Sequence, residues 1–402
     1  MTIKKDLINR NIALIYAINF CIGFIFWYGI EKLFLTQYLH LNASVIAYII
    51  IVYGLIQIFL NIPTGALADR WSRKGMISVA LIILLISTAI LGTSHSLAQY
   101  LIGTFGWGIY LVCITGTVES ILYDSLKQQK LSSSYKKIYG RSEAIFMVGI
   151  FISSSLSGFI ANAYGIRWAY YLTLVSVAIA VVLSFFLIEP EFHKNQVRKK
   201  AIAHMWEAVL MVRKSAVLLQ IMIMGTMLFL VQTVYYEYAQ LFYIAIFSAS
   251  AVATGIANGS GGLSIAVGSL LPKYLRSTGA GFLAFSLLLF VAMSPGNHFV
   301  RVGVFMLFGV VFGAVNANVN HLKHSKIPSH IRATISSALS TVDYIVIIPA
   351  ALIFSKIVSR YSIFWAYRSI ALLSLIYFLF YVLYGKKILN QDVPNEVLEV
   401  HV

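Results

Sequence analysis

Long apolar runs separated by short polar segments organise the chain. Interrupted wherever charged or turn-forming residues break them, the runs number twelve, near 11–36, 44–66, 75–94, 98–124, 141–164, 166–188, 214–246, 250–271, 278–295, 299–322, 330–356 and 361–385. A bilayer core of about 30 Å needs about 20 apolar residues in a helix, so each run predicts one membrane-spanning helix and the chain predicts an all-α polytopic membrane protein. The run at 214–246 is long for one span and predicts a tilted or bent helix. An even number of spans puts both termini on one side. The longest hydrophilic segment starts at Glu189 and divides the spans six and six. The expected organisation is therefore an N-terminal bundle over 1–188, a linker over 189–213 and a C-terminal bundle over 214–402. Within the linker Ile202, Trp206, Val209 and Val212 recur at helical spacing, which fits either a helix lying on the membrane surface or a solvated connection.

Composition agrees with this setting: of 402 residues, 59% are hydrophobic and 11% charged. The formal charge of +16 could point to nucleic acid, but no basic face with interleaved aromatics lies outside the apolar runs, so nucleic acid is excluded as a partner. The bases instead report orientation. All but six of the 30 Lys and Arg residues fall on the side that holds the termini, the six being Lys32, Arg167, Arg301, Lys356, Arg360 and Arg368. By the positive-inside rule both termini are cytoplasmic, in a multi-pass protein of the cell membrane. Cys21 and Cys113 both lie in apolar runs and read as small buried hydrophobes. No phosphate-binding glycine loop, metal-ligand pairing or nucleophile arrangement is present, so catalysis, ATP-driven pumping, a metal and a cofactor are not expected.

One stretch concentrates charge between two apolar runs, "PTGALADRWSRKG" from Pro63 to Gly75. Through Gly65, Leu67, Asp69, Arg70, Arg73 and Lys74 it resembles the loop signature of the major facilitator superfamily, which lies between the second and third helices. It departs at Ser72, where the pattern usually has glycine. A degraded echo, "GSLLPKYLRST" from Gly268, follows the eighth run, with Pro272 at the place of Asp69 and Arg276 at that of Arg73. The resemblance implies twelve helices in two pseudo-symmetric six-helix bundles. It also implies secondary transport by alternating access, with Gly65, Asp69, Arg70, Arg73, Lys74 and Asp124 forming a cytoplasmic gate. In that gate Asp69 would accept hydrogen bonds from the start of the eleventh helix, around Ser329 to Arg332, and Arg73 would pair with Asp124. The alternative is that these charges only anchor loops and fix topology. The run "GTVESILYDSLK" from Gly116, with "YGRSEA" from Tyr139, is similar to bacterial members assigned to drug export, implying proton-coupled antiport of a lipophilic or cationic small molecule by a monomer. A proton-coupled importer or a lipid or lysolipid translocator of the same fold is the alternative. A receptor or scaffold without transport stands further off. The fifth span departs from the export pattern, reading "GIFISSSLSGFIA" from Gly149 with no proline.

Acids inside spans are costly and by default functional. There are four, Glu31, Glu119, Glu237 and Asp343, and these are the candidates for carrying a coupled proton. Glu237 shares a helix face with Thr226, Thr233 and Gln240, and Tyr235, Tyr236, Tyr238 and Tyr243 surround it in sequence. Carboxylate and rings together suit a cationic or amphipathic ligand, while an interfacial tyrosine belt is the competing account. Glu31 follows Trp27 and Tyr28 by one turn, and the adjacent Lys32 leaves open an exposed outer helix end. Glu119 fits a proton site or a structural network with Arg141. Asp343 follows Ser336 and Ser340 on one face, as a coupling acid or a serine-bonded structural one. A polar stripe of Gly309, Gly313, Asn316, Asn320 and His324 suggests ligand recognition by Asn316 and Asn320, or helix-to-helix bonding. Gly255, Gly259, Gly262 and Ala266 predict a close-packing face on the eighth helix.

Overall fold

The structure is a computed structural model that describes residues 2–128, 131, 134–190, 215–272, 277–326 and 332–391. The linker helix suggested around Ile202 to Val212, the residues Lys273 to Arg276 of the signature's echo, and Ser329 to Ile331 before the eleventh helix lie outside these residues. Among the described residues all regular structure is helical, and the helices group into twelve spans. Span 1 is Thr2–Gly23 with its continuation, span 2 Val45–Arg70, span 3 Arg73–Thr93, span 4 Leu97–Ile114 continued by Thr117–Lys127, span 5 Tyr135–Tyr164 and span 6 Trp168–Ser184. Span 7 is Ala216–Ile246, span 8 Ala251–Ser269, span 9 Thr278–Ala292, span 10 His298–Lys326, span 11 Arg332–Arg360 and span 12 Ile363–Phe380 with its continuation to Leu389. Seven of these helices are long and apolar enough to cross a membrane unaided, and shorter apolar helices accompany them.

The chain forms two compact units, Met1–Lys199 with Ala249–Gly259, and Lys200–Ser248 with Ser260–Val402. The first half of span 8 thus packs with the N-terminal helices. Its glycines explain the fit: a Cβ at Gly255 would stand 2.8 Å from the carbonyl oxygen of Ser154, and one at Gly259 would stand 2.7 Å from Ser155 Oγ. The serines of span 5 supply a small surface, and backbones approach where larger residues could not.

Two predicted spans differ from their simple form. The first run is one helix only to Gly23. It continues as a 3₁₀ turn, Phe26–Gly29, a helical turn, Glu31–Leu33, and a π turn, Phe34–Tyr38. Breaking a helix inside a membrane exposes backbone groups that must find other partners. Here Ser153 Oγ donates to the Gly23 carbonyl at 3.0 Å, Ser176 Oγ donates to Cys21 at 2.6 Å, and Phe26 N–H donates to Thr173 Oγ1 at 3.0 Å. Asn258 Nδ2 adds a bond to the Tyr28 carbonyl at 3.0 Å. The fourth run breaks at Gly116, whose φ of 75° lies in the left-handed region that favours glycine. By contrast, the long run at 214–246 is a single 31-residue helix, about 46 Å at 1.5 Å per residue.

The two units share one kind of contact at their helix ends. Arg167, capping the start of span 6, donates through NH2 to the carbonyl of Ser94, the C-cap of span 3, at 3.0 Å. Arg368, early in span 12, donates through NH2 to the carbonyl of Met293, the C-cap of span 9, also at 3.0 Å. Sixth and third helices, twelfth and ninth, are tied by the same contact in each unit. Both contacts place a cation at a helix C-terminus, where the helix dipole is negative.

Candidate functional site

The charged loop is built from the end of span 2 upward. Pro63 lies within that helix, and Thr64 Oγ1 donates to the Leu60 carbonyl at 2.8 Å and to Val112 of span 4 at 3.2 Å. Gly65, Asp69 and Arg70 occupy the last turns of span 2, and the side chains of Asp69 and Arg70 lie outside what the structure describes. Ser72 then starts span 3. Its φ of −168° is ordinary extended backbone, so this position makes no demand for glycine, and its hydroxyl accepts from Gly75 N–H at 2.9 Å as an N-cap. Arg73 NH1 pairs with Asp124 Oδ2 and donates to the Ser120 carbonyl at 3.2 Å, both in the last part of span 4.

Glu189, assigned to the linker in sequence, joins this cluster. Its Oε1 accepts from Arg73 N–H at 3.0 Å, and its Oε2 accepts from Lys74 N–H at 2.8 Å and from the Ser72 hydroxyl at 2.7 Å. A carboxylate on the free N–H groups of a helix start is favoured by both hydrogen bonding and the dipole. The segment after span 6 that carries it is itself fixed, because Asn11 Nδ2 donates to the Ile188 carbonyl at 2.9 Å while Ile188 N–H donates to Asn11 Oδ1 at 2.9 Å. The sequence signal was available: an acid immediately after the last apolar residue of a span, in a chain with few acids.

Deeper in the N-terminal unit, Glu31 sits in the short turn after the break in span 1. Its Oε2 is 2.6 Å from Lys32 Nζ and its Oε1 accepts from the Tyr100 hydroxyl at 2.7 Å. The Lys32 side chain is 1% exposed, so this stretch is not an exposed helix end. Trp27 is buried, stacked on Tyr170 at 5.7 Å and edge-on to Trp107 at 5.5 Å, while Tyr28 meets both Trp27 and Trp107 by its edge. Glu119 Oε1 accepts from the Tyr139 hydroxyl of span 5 at 3.0 Å, and Arg141 of the expected network is exposed.

In the C-terminal unit the tyrosines around Glu237 spread out. Successive residues turn 100° about a helix axis, so four rings close in sequence do not all share one face. Tyr235 stacks on Phe305 of span 10, Tyr243 meets the same Phe305, and Tyr238 packs on Phe354 of span 11 with its hydroxyl 2.6 Å from Ser355 Oγ. Tyr236 alone of the four is exposed, Glu237 is partly buried beside it, and Thr233 and Gln240 are buried. Of the two tyrosines expected to contact a ligand, Tyr236 is exposed and Tyr238 is buried. Asp343 Oδ1 accepts from the Thr226 hydroxyl of span 7 at 2.6 Å, and the side chain of Ser336 on its own helix lies outside what the structure describes. Asn320 Nδ2 reaches Asn316 Oδ1 at 3.4 Å on their own helix, and Asn318, off the predicted stripe, ties span 10 to the Pro272 carbonyl at 3.2 Å. Among the described residues no group of three His, Cys, Asp or Glu side chains could hold a metal.

Fold and site together define a polytopic helical membrane protein with charges clustered at helix ends and acids within its spans. The family model of the Major Facilitator Superfamily matches residues 12–351, and the chain belongs to that superfamily. It is 28% identical over 148 residues to an uncharacterized transporter of Buchnera aphidicola subsp. Baizongia pistaciae (strain Bp), covering 36% of this chain and 34% of that protein. To multidrug resistance protein 2 of Bacillus subtilis (strain 168) it is 26% identical over 151 residues, covering 38% and 36%. The match thus spans little more than a third of these relatives' own length. Among solved structures, a mutant of the nucleoside transporter NupG superposes with a TM-score of 0.79 at 13% identity, covering 93% of this chain and 99% of that one, a likeness of fold.

Proposed function

We propose that the protein is a secondary active transporter that exports a lipophilic or cationic small molecule in exchange for protons, working as a monomer in the cell membrane with both termini cytoplasmic. The observation that carries this reading is Asp343, an acid inside span 11 bonded by the Thr226 hydroxyl. A carboxyl in such a place exchanges a proton for a cationic group at small electrostatic cost, because either one neutralises it. Glu237, Glu31 and Glu119 are the further acids of the coupling path. Thr233, Tyr236, Gln240, Asn316 and Asn320 are the substrate contacts of the C-terminal unit, and Trp27 and Tyr28 those of the N-terminal unit. Tyr238 acts by support from within span 7. The gate comprises Gly65, Asp69, Arg70, Arg73, Lys74 and Asp124, to which Glu189 is added. Similarity to the Bacillus multidrug resistance protein over about a third of the chain supports export.

The test is flux in sealed proteoliposomes with an imposed pH gradient. A labelled lipophilic cation should move against the proton flow in the wild type. Asp343→Asn should abolish gradient-driven accumulation while keeping exchange of labelled for unlabelled substrate. Full accumulation in both Asp343→Asn and Glu237→Gln would remove these acids from the mechanism, and movement together with protons would replace export by import.

A further inference from the structure

Lys323 reads in sequence as one more cytoplasmic base, three residues from the end of span 10. A lysine near a helix end in a membrane ordinarily extends its ammonium outward to the headgroups. This one lies elsewhere. A Cβ added at Gly225 of span 7 would stand 2.9 Å from Lys323 Nζ and 3.0 Å from its Cε, so the ammonium rests on the bare backbone of that glycine. The next residue is Thr226, whose hydroxyl is bonded to Asp343. Lys323 and Asp343 act on one another electrostatically, although no ion pair within contact distance joins them among the described residues. Tyr344, next to Asp343, meets Phe229 of span 7 edge-on at 5.2 Å, so aromatic rings border the same place. One partly buried anion, one partly buried cation, a hydroxyl bonded to the anion and a glycine notch therefore stand together where spans 7, 10 and 11 meet.

We propose that this is a cation-binding subsite in which Lys323 is a tethered occupant, holding the place beside Asp343 that a transported organic cation takes. The inference rests on the export reading above and deepens it. An acid that has released its substrate cation, and has no proton, leaves a bare charge in low dielectric, which is costly. Lys323 removes that cost by staying near without closing a contact pair. The incoming cation must displace it, so Lys323 sets the affinity threshold for substrate and Gly225 provides the room in which the ammonium rests. Lys323 is on this account a positioning residue that competes for Asp343. A substituent at 225 collides with the far end of a flexible side chain, so Gly225→Ala shifts the ammonium while leaving the backbone and both charges in place.

Equilibrium binding of tetraphenylphosphonium to purified full-length protein in detergent tests this. Lys323→Gln should bind the probe about tenfold more tightly than wild type at the same pH, and Gly225→Ala several-fold more tightly. Lys323→Arg, which keeps a cation on a long stem, should stay near the wild-type value. Size-exclusion profiles and thermal melts confirm that each variant is folded. Lys323→Gln binding no tighter than wild type, or not at all, overturns the proposal. So does tightening in Lys323→Gln with none in Gly225→Ala, which would mean that charge alone matters and the notch does not. The two readings separate through Asp343→Asn. Loss of binding there together with an unaltered Lys323→Gln defeats the tethered occupant alone. Undiminished binding in Asp343→Asn defeats the export reading at this acid.

Discussion

The Ser72 hydroxyl stands 2.7 Å from Glu189 Oε2 while accepting from the Gly75 N–H at 2.9 Å. The residue that departs from the family signature is thus the one that links the signature to the segment after span 6. Glu189 needs a donor at that position, which glycine's side chain lacks. Glu189→Ala should lower thermal stability by about 0.5–2 kcal/mol, the usual size of a lost helix cap. Ser72→Gly should lower it by less, since the two backbone N–H bonds to Glu189 survive. Melting curves in detergent compare the two, and a larger loss in Ser72→Gly would reverse the assignment.

The two tyrosines flanking Glu237 should behave differently. Tyr238 is buried and its hydroxyl is bonded to Ser355, also buried, so Tyr238→Phe leaves a polar group without its partner and should cost about 1–3 kcal/mol of stability with little direct effect on affinity. Tyr236 is 46% exposed, so Tyr236→Ala should spare stability and weaken binding of a lipophilic cation by about 0.5–2 kcal/mol. Binding and melting measured on both variants give the comparison.

Close packing of spans 5 and 8 rests on absent side chains. In Gly255→Val the new Cβ meets the Ser154 carbonyl at 2.8 Å, a backbone atom that cannot rotate away. Overpacking of this kind costs about 1–3 kcal/mol. Gly262→Val, where an added Cβ meets nothing within 4 Å, is the control and should be near neutral. Equal melting points in the two variants would contradict the contact.

Asp69 tests the gate. If its carboxylate accepts charge-assisted hydrogen bonds from the start of span 11, Asp69→Asn removes about 1–3 kcal/mol from the state with the cytoplasmic side closed. Each 1.4 kcal/mol changes the population ratio tenfold. Spin labels on the loops after spans 2 and 8 should therefore report longer distances in Asp69→Asn, with substrate binding retained. An unchanged distribution in a folded variant would leave the signature as a topological anchor.

Much of the architecture was legible because apolar run length is nearly sufficient in a membrane: twelve runs correspond to twelve spans, and Arg73 meets the Asp124 that the signature implied. What escaped depended on hydrogen bonds between distant positions. Nothing local at Gly23 reveals that Ser153, Thr173 and Ser176 will accept and supply the bonds of a broken helix. Lys323 was misplaced for a related reason. The sequence counts it with the bases at a helix end, whereas four methylenes carry its ammonium along the helix and a glycine on another span decides where it rests. The tyrosines beside Glu237 were grouped by adjacency in sequence, whereas helical rotation sends Tyr235 and Tyr243 to Phe305 of span 10 and Tyr238 to Phe354 of span 11.

The break in span 1 has a mechanical consequence. An ordinary membrane helix carries its own hydrogen bonds and keeps its shape wherever it moves. This one borrows from spans 5, 6 and 8 through single-point attachments, so its bend persists only while all three stay seated. Glu31, Trp27 and Tyr28 lie just past the bend and inherit that dependence. A shift of any one neighbour by the length of a hydrogen bond re-aims them together, which makes this short segment a strain gauge for the packing of the whole N-terminal unit.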